Sequence, residues 1–187
     1  MPADEERDDT DLRAALEEIA PRLFAWAHCR LYGRAAQEAD DVVQETLCRA
    51  LDRLDRFRGG SLAAWLFTIA NNVVLEFLRR SRRRPQLLAP ASESRDSPLA
   101  NVVARATTLT RAVARRDDVR ALLELAESFD ETDRRILLLC GLEDLPAREA
   151  AIQLGSNEEA VQKRWYRLRQ RLRFVPWIRA EAGDGSG

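Results

Sequence analysis

The amino-acid sequence predicts an all-α protein, and three observations support that fold class. Apolar residues recur at intervals of three and four over most of the chain, as on one face of a helix. No segment shows the strict alternation of a half-buried strand. Charged residues make up 33% of the chain and aromatic residues 6%, a balance that favours amphipathic helices over a β-sandwich. A proline- and serine-rich stretch at 85–98 interrupts the helical pattern. We therefore expect two small helical domains joined by a flexible linker.

The first predicted domain spans 12–84 and contains three helices. The first starts at Leu12 and ends before Gly33; the second covers about 37–56. The third runs from 62 to about 80, with Ser61 as its predicted N-cap. It ends in a cluster of arginines: Arg79, Arg80, Arg82, Arg83 and Arg84. Ahead of this domain, residues 1–11 form an acidic segment that we predict to be disordered.

The second predicted domain spans 99–175, and 176–187 form a tail. Helical periodicity continues from 99 to 129, with a break near 115–118 left open. Asp130 is predicted to start the next helix and Gly141 to end it. Pro146 suits the first position of the helix that follows. Ser156 and Glu159 have the spacing of a capping box for the last helix. Residues 146–173 are therefore predicted to form a helix-turn-helix.

Charge is distributed unevenly along the chain, although the formal net charge is only −1. Residues 1–20 carry a net charge of −6, and residues 162–173 carry +6 without a single acid. A near-neutral total therefore hides two opposed electrostatic fields. This pattern favours a protein with separate surfaces for different partners.

Several functional classes find no support in the sequence. Cys29, Cys48 and Cys140 are widely spaced, which favours three small buried side chains in a reducing cytoplasm over disulfides or a zinc site. The start is acidic, unlike a secretory signal peptide. The longest apolar run, 136–142, is far shorter than the roughly 20 residues of a membrane span. We expect a cytoplasmic protein without membrane insertion.

Catalytic and metal-binding patterns are equally weak. Asp40, Asp41 and Glu45 lie close together, but no histidine is near them in sequence. No phosphate-binding glycine loop, nucleophile elbow or zinc spacing occurs. The sequence therefore predicts neither an enzyme nor a metal or cofactor site. An acidic face for docking a protein, or simple solvation, explains these carboxylates better.

The last predicted helix has the pattern of a DNA-reading helix. Its apolar stripe is Val161, Trp165 and Leu168. The opposite face carries the polar and basic side chains Gln162, Lys163, Tyr166, Arg167 and Gln170. Such groups can reach base edges and phosphates in the major groove, with Arg164 beside them as a phosphate contact. The alternative interpretation is a solvated basic helix.

Aromatic residues stand close to the arginine cluster of the third helix. They are Phe57, Trp65, Phe67 and Phe77. Aromatic faces beside positive charge are typical of surfaces that bind unstacked single-stranded bases. For Trp65 and Phe77, packing in the core is the favoured interpretation.

Three successive motifs resemble region 2 of bacterial RNA polymerase sigma factors. They are DDVVQET at 40–46, LDRFRGGS at 54–61 and WLFTIANN at 65–72. Residues 129–173 resemble region 4 of the same proteins. The resemblance is greatest to the small extracytoplasmic-function (ECF) type of the sigma-70 family. It implies a factor that binds core RNA polymerase and directs promoter recognition and melting for transcription initiation, with an anti-sigma factor as a further possible partner.

The resemblance also implies roles for individual residues. Asp41, Gln44 and Glu45 correspond to the contact with the coiled coil of the largest polymerase subunit. The residues implied for the minus-ten element, where one base is flipped out, are Phe57, Arg58, Ile69, Asn72, Arg79 and Arg80. Those implied for the minus-thirty-five element are Gln162, Lys163, Arg164, Tyr166 and Arg167.

Some positions depart from the pattern of the family. The last helix begins Val161-Gln162-Lys163-Arg164, where relatives usually have a Val-Lys-Ser-Arg-like run, and Trp165 is bulkier than the usual leucine. The promoter sequence therefore cannot be transferred from relatives. Two alternatives remain open: a sigma-like mimic that sequesters an anti-sigma factor, and a stand-alone helix-turn-helix DNA-binding regulator.

Overall fold

The computed structural model describes residues 3–57, 59–83 and 98–178. Within these ranges the chain is helical and contains no strand. The helices are α1 Ala3–Arg30, α2 Ala36–Asp52, α3 Leu62–Arg83, α4 Pro98–Ala114, α5 Asp117–Glu127, α6 Glu131–Ile136, α7 Ala147–Leu154 and α8 Glu158–Leu172. A 3₁₀ turn, Leu54–Arg56, follows α2, and α6 continues into a π-helical turn, Leu137–Leu142. The predicted all-α class is confirmed.

The helix boundaries agree with the sequence pattern where local chemistry sets them. The Ser61 hydroxyl accepts a hydrogen bond from the Ala64 amide at 3.2 Å, which confirms the predicted N-cap of α3. The open question at 115–118 is resolved by a break between α4 and α5. Residues 85–97 of the predicted linker lie outside the described part of the chain, as does Arg58.

Two differences concern the ends of the chain. The helix α1 begins at Ala3, inside the segment predicted to be a disordered tail. No proline or glycine separates Ala3 from Leu12, and acidic residues are favourable near a helix N-terminus. At the other end, the first residues of the predicted tail fold back. The Trp177 indole donates to the Asp118 carboxylate at 2.7 Å, and Ile178 is buried.

The predicted capping box of the last helix is wrong by one residue. The cap is Asn157, whose side chain accepts a hydrogen bond from the Ala160 amide at 2.7 Å. Gly155 takes the left-handed conformation, φ 62°, at the end of α7, and the Ser156 amide then donates back to the Ala151 carbonyl. Because Ser156 completes the end of α7, the next residue becomes the cap.

The predictions for Gly141 and Pro146 also need correction. Gly141 does not end a helix; it lies within the π-helical turn, which closes at Leu142. A Cβ atom at Gly141 would lie 2.9 Å from Cη2 of Trp165, so glycine is needed there because α8 approaches closely. Pro146 is the cap of α7 rather than its first residue, which is Ala147.

The first three helices form one packed unit, and α4 joins them. Leu23 and Trp26 of α1, Leu47 of α2 and Leu66 of α3 are fully buried in its centre. The helix α4 packs on α2 and α1, and only slightly on α5. The sequence interpretation placed α4 in the second domain, because periodicity shows that a helix has a buried face but not which helix covers it.

The two predicted domains lie against one another through α1. The Trp26 indole donates to the Glu143 carboxylate at 2.7 Å. Arg22 donates to the Leu142 carbonyl and pairs with Asp144 at 2.6 Å. These contacts hold the turn between α6 and α7 against the first bundle.

One described segment, Leu62–Ser81, is long and apolar enough to meet the length and hydropathy criteria for a membrane span. It belongs to α3, whose Leu66, Ala70 and Val73 are buried within the first bundle. Packing inside a helical core explains this apolar character.

Candidate protein and nucleic-acid interfaces

The acidic face of α2 consists of Asp41, Gln44 and Glu45. Asp41 and Glu45 are exposed. Gln44 is half-buried, and its amide donates to the Thr107 hydroxyl of α4 at 2.8 Å. The structure therefore brings the three predicted residues onto one face and covers one of them with α4.

The electrostatics of this face favour a cationic partner. Desolvation raises the pKa of the Asp41 carboxyl, and the neighbouring acids Asp40 and Glu38 raise it further. The ionised carboxylate is thus held in an unfavourable negative field. A basic side chain from a partner would relieve that repulsion on binding.

A groove of about 250 Å³ lies between α2 and α3. Its lining comprises Arg49, Arg53, Ile69, Asn72, Leu75, Glu76 and Arg79. Three of the residues predicted for minus-ten DNA, Ile69, Asn72 and Arg79, therefore share one concave surface. Phe57 lies outside this lining and instead packs against the Trp65 ring, with centroids 5.6 Å apart.

The wall of this groove contains an ion pair that the sequence interpretation missed. Arg49 donates two hydrogen bonds to the Glu76 carboxylate, at 3.0 and 2.7 Å, and one to Glu45 at 2.7 Å. The bonds from Arg49 lower the pKa of Glu76. Arg80 lies 3.6 Å from the same carboxylate. Arg49 therefore connects the acidic face of α2 to the groove, a contact that only the register of α2 on α3 determines.

The last two helices form the predicted helix-turn-helix, α7 and α8. The predicted stripe of α8, Val161, Trp165 and Leu168, is buried. On the opposite face Gln162, Lys163 and Arg167 are exposed, and Tyr166 is 59% exposed. Sequence reasoning therefore identified both faces of this helix.

Local partners restrain part of the exposed face of α8. The Gln162 amide donates to Glu158 at 3.0 Å, and Lys163 pairs with Glu159 at 2.6 Å. Both pairs are exposed i,i+4 contacts, which are weak and readily exchanged. Phosphate oxygens could therefore replace these carboxylates on the two side chains.

Arg164 has a structural partner that the sequence did not reveal. Its guanidinium lies 2.7 Å from Asp133 and 3.2 Å from Asp130, at the start of α6. Hydrogen bonds that Arg164 donates to Asp133 and Asp130 raise the pKa of its guanidinium. This pair fixes α8 relative to α6 and positions the exposed face.

The three cysteines are free thiols, and burial raises the pKa of each, to about 12 for Cys29 and about 11 for Cys48 and Cys140. Desolvated thiols of this kind are poor nucleophiles. Among the described side chains, no group of three or more histidine, cysteine or acidic residues is arranged to hold a metal ion.

Comparison with known proteins agrees with the order of these surfaces. Residues 16–84 match the Sigma-70 region 2 family, and residues 120–172 match the Sigma-70 region 4 family. All of α4 and the start of α5 fall between the two matched segments.

Named relatives extend this similarity over most of the chain. The ECF RNA polymerase sigma factor EcfG of Rhodopseudomonas palustris is 34% identical, over 89% of this chain and 86% of the relative. The RNA polymerase sigma factor NccH of Alcaligenes xylosoxydans is 31% identical, over 76% of this chain and 75% of the relative. ECF RNA polymerase sigma factor SigG of Mycobacterium tuberculosis is 31% identical over 93% of this chain, which spans about half of its length.

Fold, surfaces and matches together define a sigma-70-type factor with regions 2 and 4. The extent of the similarity to EcfG, an ECF sigma factor by name, makes the assignment more specific. This chain belongs to the ECF group of the sigma-70 family.

Proposed function

We propose that this chain binds core RNA polymerase and directs promoter recognition and melting at the start of transcription. The observation that carries the proposal is the presence of both sigma regions, in order, each with an exposed face of the expected charge. Asp41, Gln44 and Glu45 are the proposed polymerase contact. Their acidic field suits a basic helical surface on the partner.

The groove between α2 and α3 is the proposed site for the melted minus-ten strand. Ile69 and Asn72 offer one apolar and one hydrogen-bonding surface to a flipped base. Arg79 and Arg80, both exposed, are the proposed contacts to the phosphates of the same strand. Phe57, whose ring packs against Trp65, and Arg58 complete the proposed minus-ten set.

The helix α8 is the proposed reader of the minus-thirty-five element. Gln162, Lys163, Tyr166 and Arg167 present donors and one aromatic ring on a single face, as major-groove readout requires. Arg164 contributes by holding this helix on α6.

The protein performs no chemistry of its own in this proposal. It acts in the cytoplasm, with core polymerase and promoter DNA as partners. An anti-sigma factor that covers the acidic face of α2 is a further partner consistent with its exposure.

Reconstituted run-off transcription tests this function. Purified chain is combined with core polymerase from the native host and a library of that host's promoters. We expect discrete transcripts that are absent with core enzyme alone. Capture of an anti-sigma factor from the native host, without any transcript, would indicate a sigma-like mimic. Tight duplex binding by the chain alone, without polymerase capture, would indicate a stand-alone regulator.

A further inference from the structure

The helix α4 occupies an unexpected place in this fold. It follows the first sigma region and precedes the second, and it packs on α1 and α2. Among the described side chains of α4, the buried ones are Ala106, Thr110 and Val113, spaced four and three residues apart on one face. Because these side chains are small, the axis of α4 can lie close to the bundle.

The contact with α2 falls on the proposed polymerase face. The Thr107 hydroxyl accepts the hydrogen bond from Gln44 at 2.8 Å. Gln44 lies between Asp41 and Glu45 on the same face of α2. Packed helices have interaxial distances of 8–10 Å, so a second helix cannot occupy the position of α4 while α4 remains docked.

We propose that α4 is a displaceable cover over the polymerase-binding face of α2, and that core polymerase binds only when α4 has moved away from Gln44. This inference rests on the proposed function. In the closed state Asp41 and Glu45 stay exposed and can meet a partner first. Release of Thr107 then frees the Gln44 amide for the same partner.

The chemistry of the α4 contact suits a reversible cover. Helix-to-helix contacts at the centre of the first bundle use large side chains such as Trp26, Leu47 and Leu66. The α4 stripe buries two methyl-sized groups and one valine, and the Thr110 hydroxyl is satisfied within its own helix by the Ala106 carbonyl at 2.9 Å. Undocking α4 therefore leaves no hydroxyl of this stripe without an acceptor.

Two neighbouring threonines give a matched test. Thr107 and Thr108 each donate to the carbonyl four residues back, at 2.9 and 2.8 Å. Of the two hydroxyls, that of Thr107 accepts the hydrogen bond from Gln44. Thr107→Ala and Thr108→Ala therefore change the helix propensity of α4 equally. They differ in that only Thr107→Ala removes the hydrogen bond with Gln44.

Equilibrium binding of the full chain to core polymerase is the measurement. Loss of one net hydrogen bond from the closed state should raise the open fraction, and with it the apparent affinity, by about two- to tenfold for Thr107→Ala. Thr108→Ala should bind like the wild type. In a Gln44→Ala background, the gain from Thr107→Ala should disappear.

A second pair of variants applies a larger perturbation. Ala106→Arg places a charged side chain in the buried stripe, whereas Ala104→Arg adds the same charge at an exposed position of α4. We expect Ala106→Arg to bind core polymerase at least tenfold more tightly than Ala104→Arg. Circular dichroism identifies any variant that has lost its helices, and the threonine pair then remains decisive.

The outcomes separate the two proposals. Equal affinities within both pairs, with wild type binding well, would overturn the cover while leaving the sigma function intact. Absence of core-polymerase binding by wild type and by every folded variant would instead overturn the proposed function.

Discussion

Gly141 lies close to the Trp165 ring where the π-helical turn packs on α8. A methyl group added at Gly141 would lie 2.9 Å from Cη2 of Trp165 and 3.0 Å from Cδ1 of Leu137. Trp165 is only 4% exposed and Leu137 is fully buried, so neither can swing into solvent. Gly141→Ala must therefore shift α8 or the turn. Overpacking of this kind costs about 1–3 kcal/mol of stability.

The reciprocal change, Trp165→Leu, should relieve the clash. Alone it leaves a cavity, but it also removes an indole N–H that is buried without a hydrogen-bond acceptor among the described residues. A buried unsatisfied donor costs about 1–3 kcal/mol of stability. Its removal therefore offsets part of the destabilisation caused by the cavity. We expect the double variant to be more stable than the sum of the single changes predicts, by about 1–2 kcal/mol.

Urea unfolding followed by circular dichroism measures this coupling, from the wild type, both single variants and the double variant. If the unfolding free energy depends on urea concentration with the same slope in all four proteins, unfolding exposes the same amount of surface in each. Additivity within about 0.5 kcal/mol would mean that Gly141 and Trp165 do not compete for the same space.

Three further predictions address separate parts of the chain. A hydrogen bond from Arg116, aided by one from Trp177, lowers the pKa of Asp118 to about 2. Asp118→Asn should therefore lower the free energy of unfolding at pH 7 by about 1–2 kcal/mol, a figure reduced for the solvent around Arg116. In urea unfolding, the difference in stability between wild type and variant should disappear as pH falls from about 4 to 2. A difference that stays constant with pH would contradict this prediction. Asn72→Ala should reduce promoter opening, measured by permanganate reactivity of unpaired thymines, more than polymerase affinity; equal losses would indicate a folding defect. Arg167→Ala should weaken promoter binding and reduce, by about 0.9, the slope of the logarithm of the binding constant against the logarithm of salt concentration. An unchanged slope would exclude a phosphate contact.

Residues whose role depends on local periodicity could be predicted from the sequence. The buried stripe Val161, Trp165 and Leu168, and the exposed Tyr166 opposite it, follow from a repeat of 3.6 residues. The Ser61 cap follows from its position before an apolar run. Each of these features needs only neighbours within a few residues.

Features that depend on how helices meet could not be predicted. The bonds from Arg49 to Glu76 need the register of α2 on α3, and the pairing of Arg164 with Asp133 needs the angle of α8 on α6. The position of α4 could not be predicted either, because its apolar stripe does not specify which helices cover it. The candidate polymerase face was therefore predicted residue by residue, whereas its cover was not.

The region 2 motifs and the helix-turn-helix had different predictive value. Region 2 carries three motifs in fixed order, so residues such as Asn72 could be assigned from the resemblance, and the structure places Asn72 in the groove. Phe57 was assigned in the same way, but it packs on Trp65 rather than lining that groove. A motif identifies a functional residue, but the conformation of the loop determines on which surface that residue lies.

In the proposed function, polymerase and promoter DNA are bound by different faces of this chain. Equilibrium binding of core polymerase to the Gln44→Ala/Glu45→Ala variant and to Arg167→Ala tests this division. Both are compared in a Thr107→Ala background, where the contact between α4 and Gln44 is already absent. We expect the double change to weaken core-polymerase binding at least tenfold and Arg167→Ala to leave it unchanged. Equal affinities for the two variants would contradict the account.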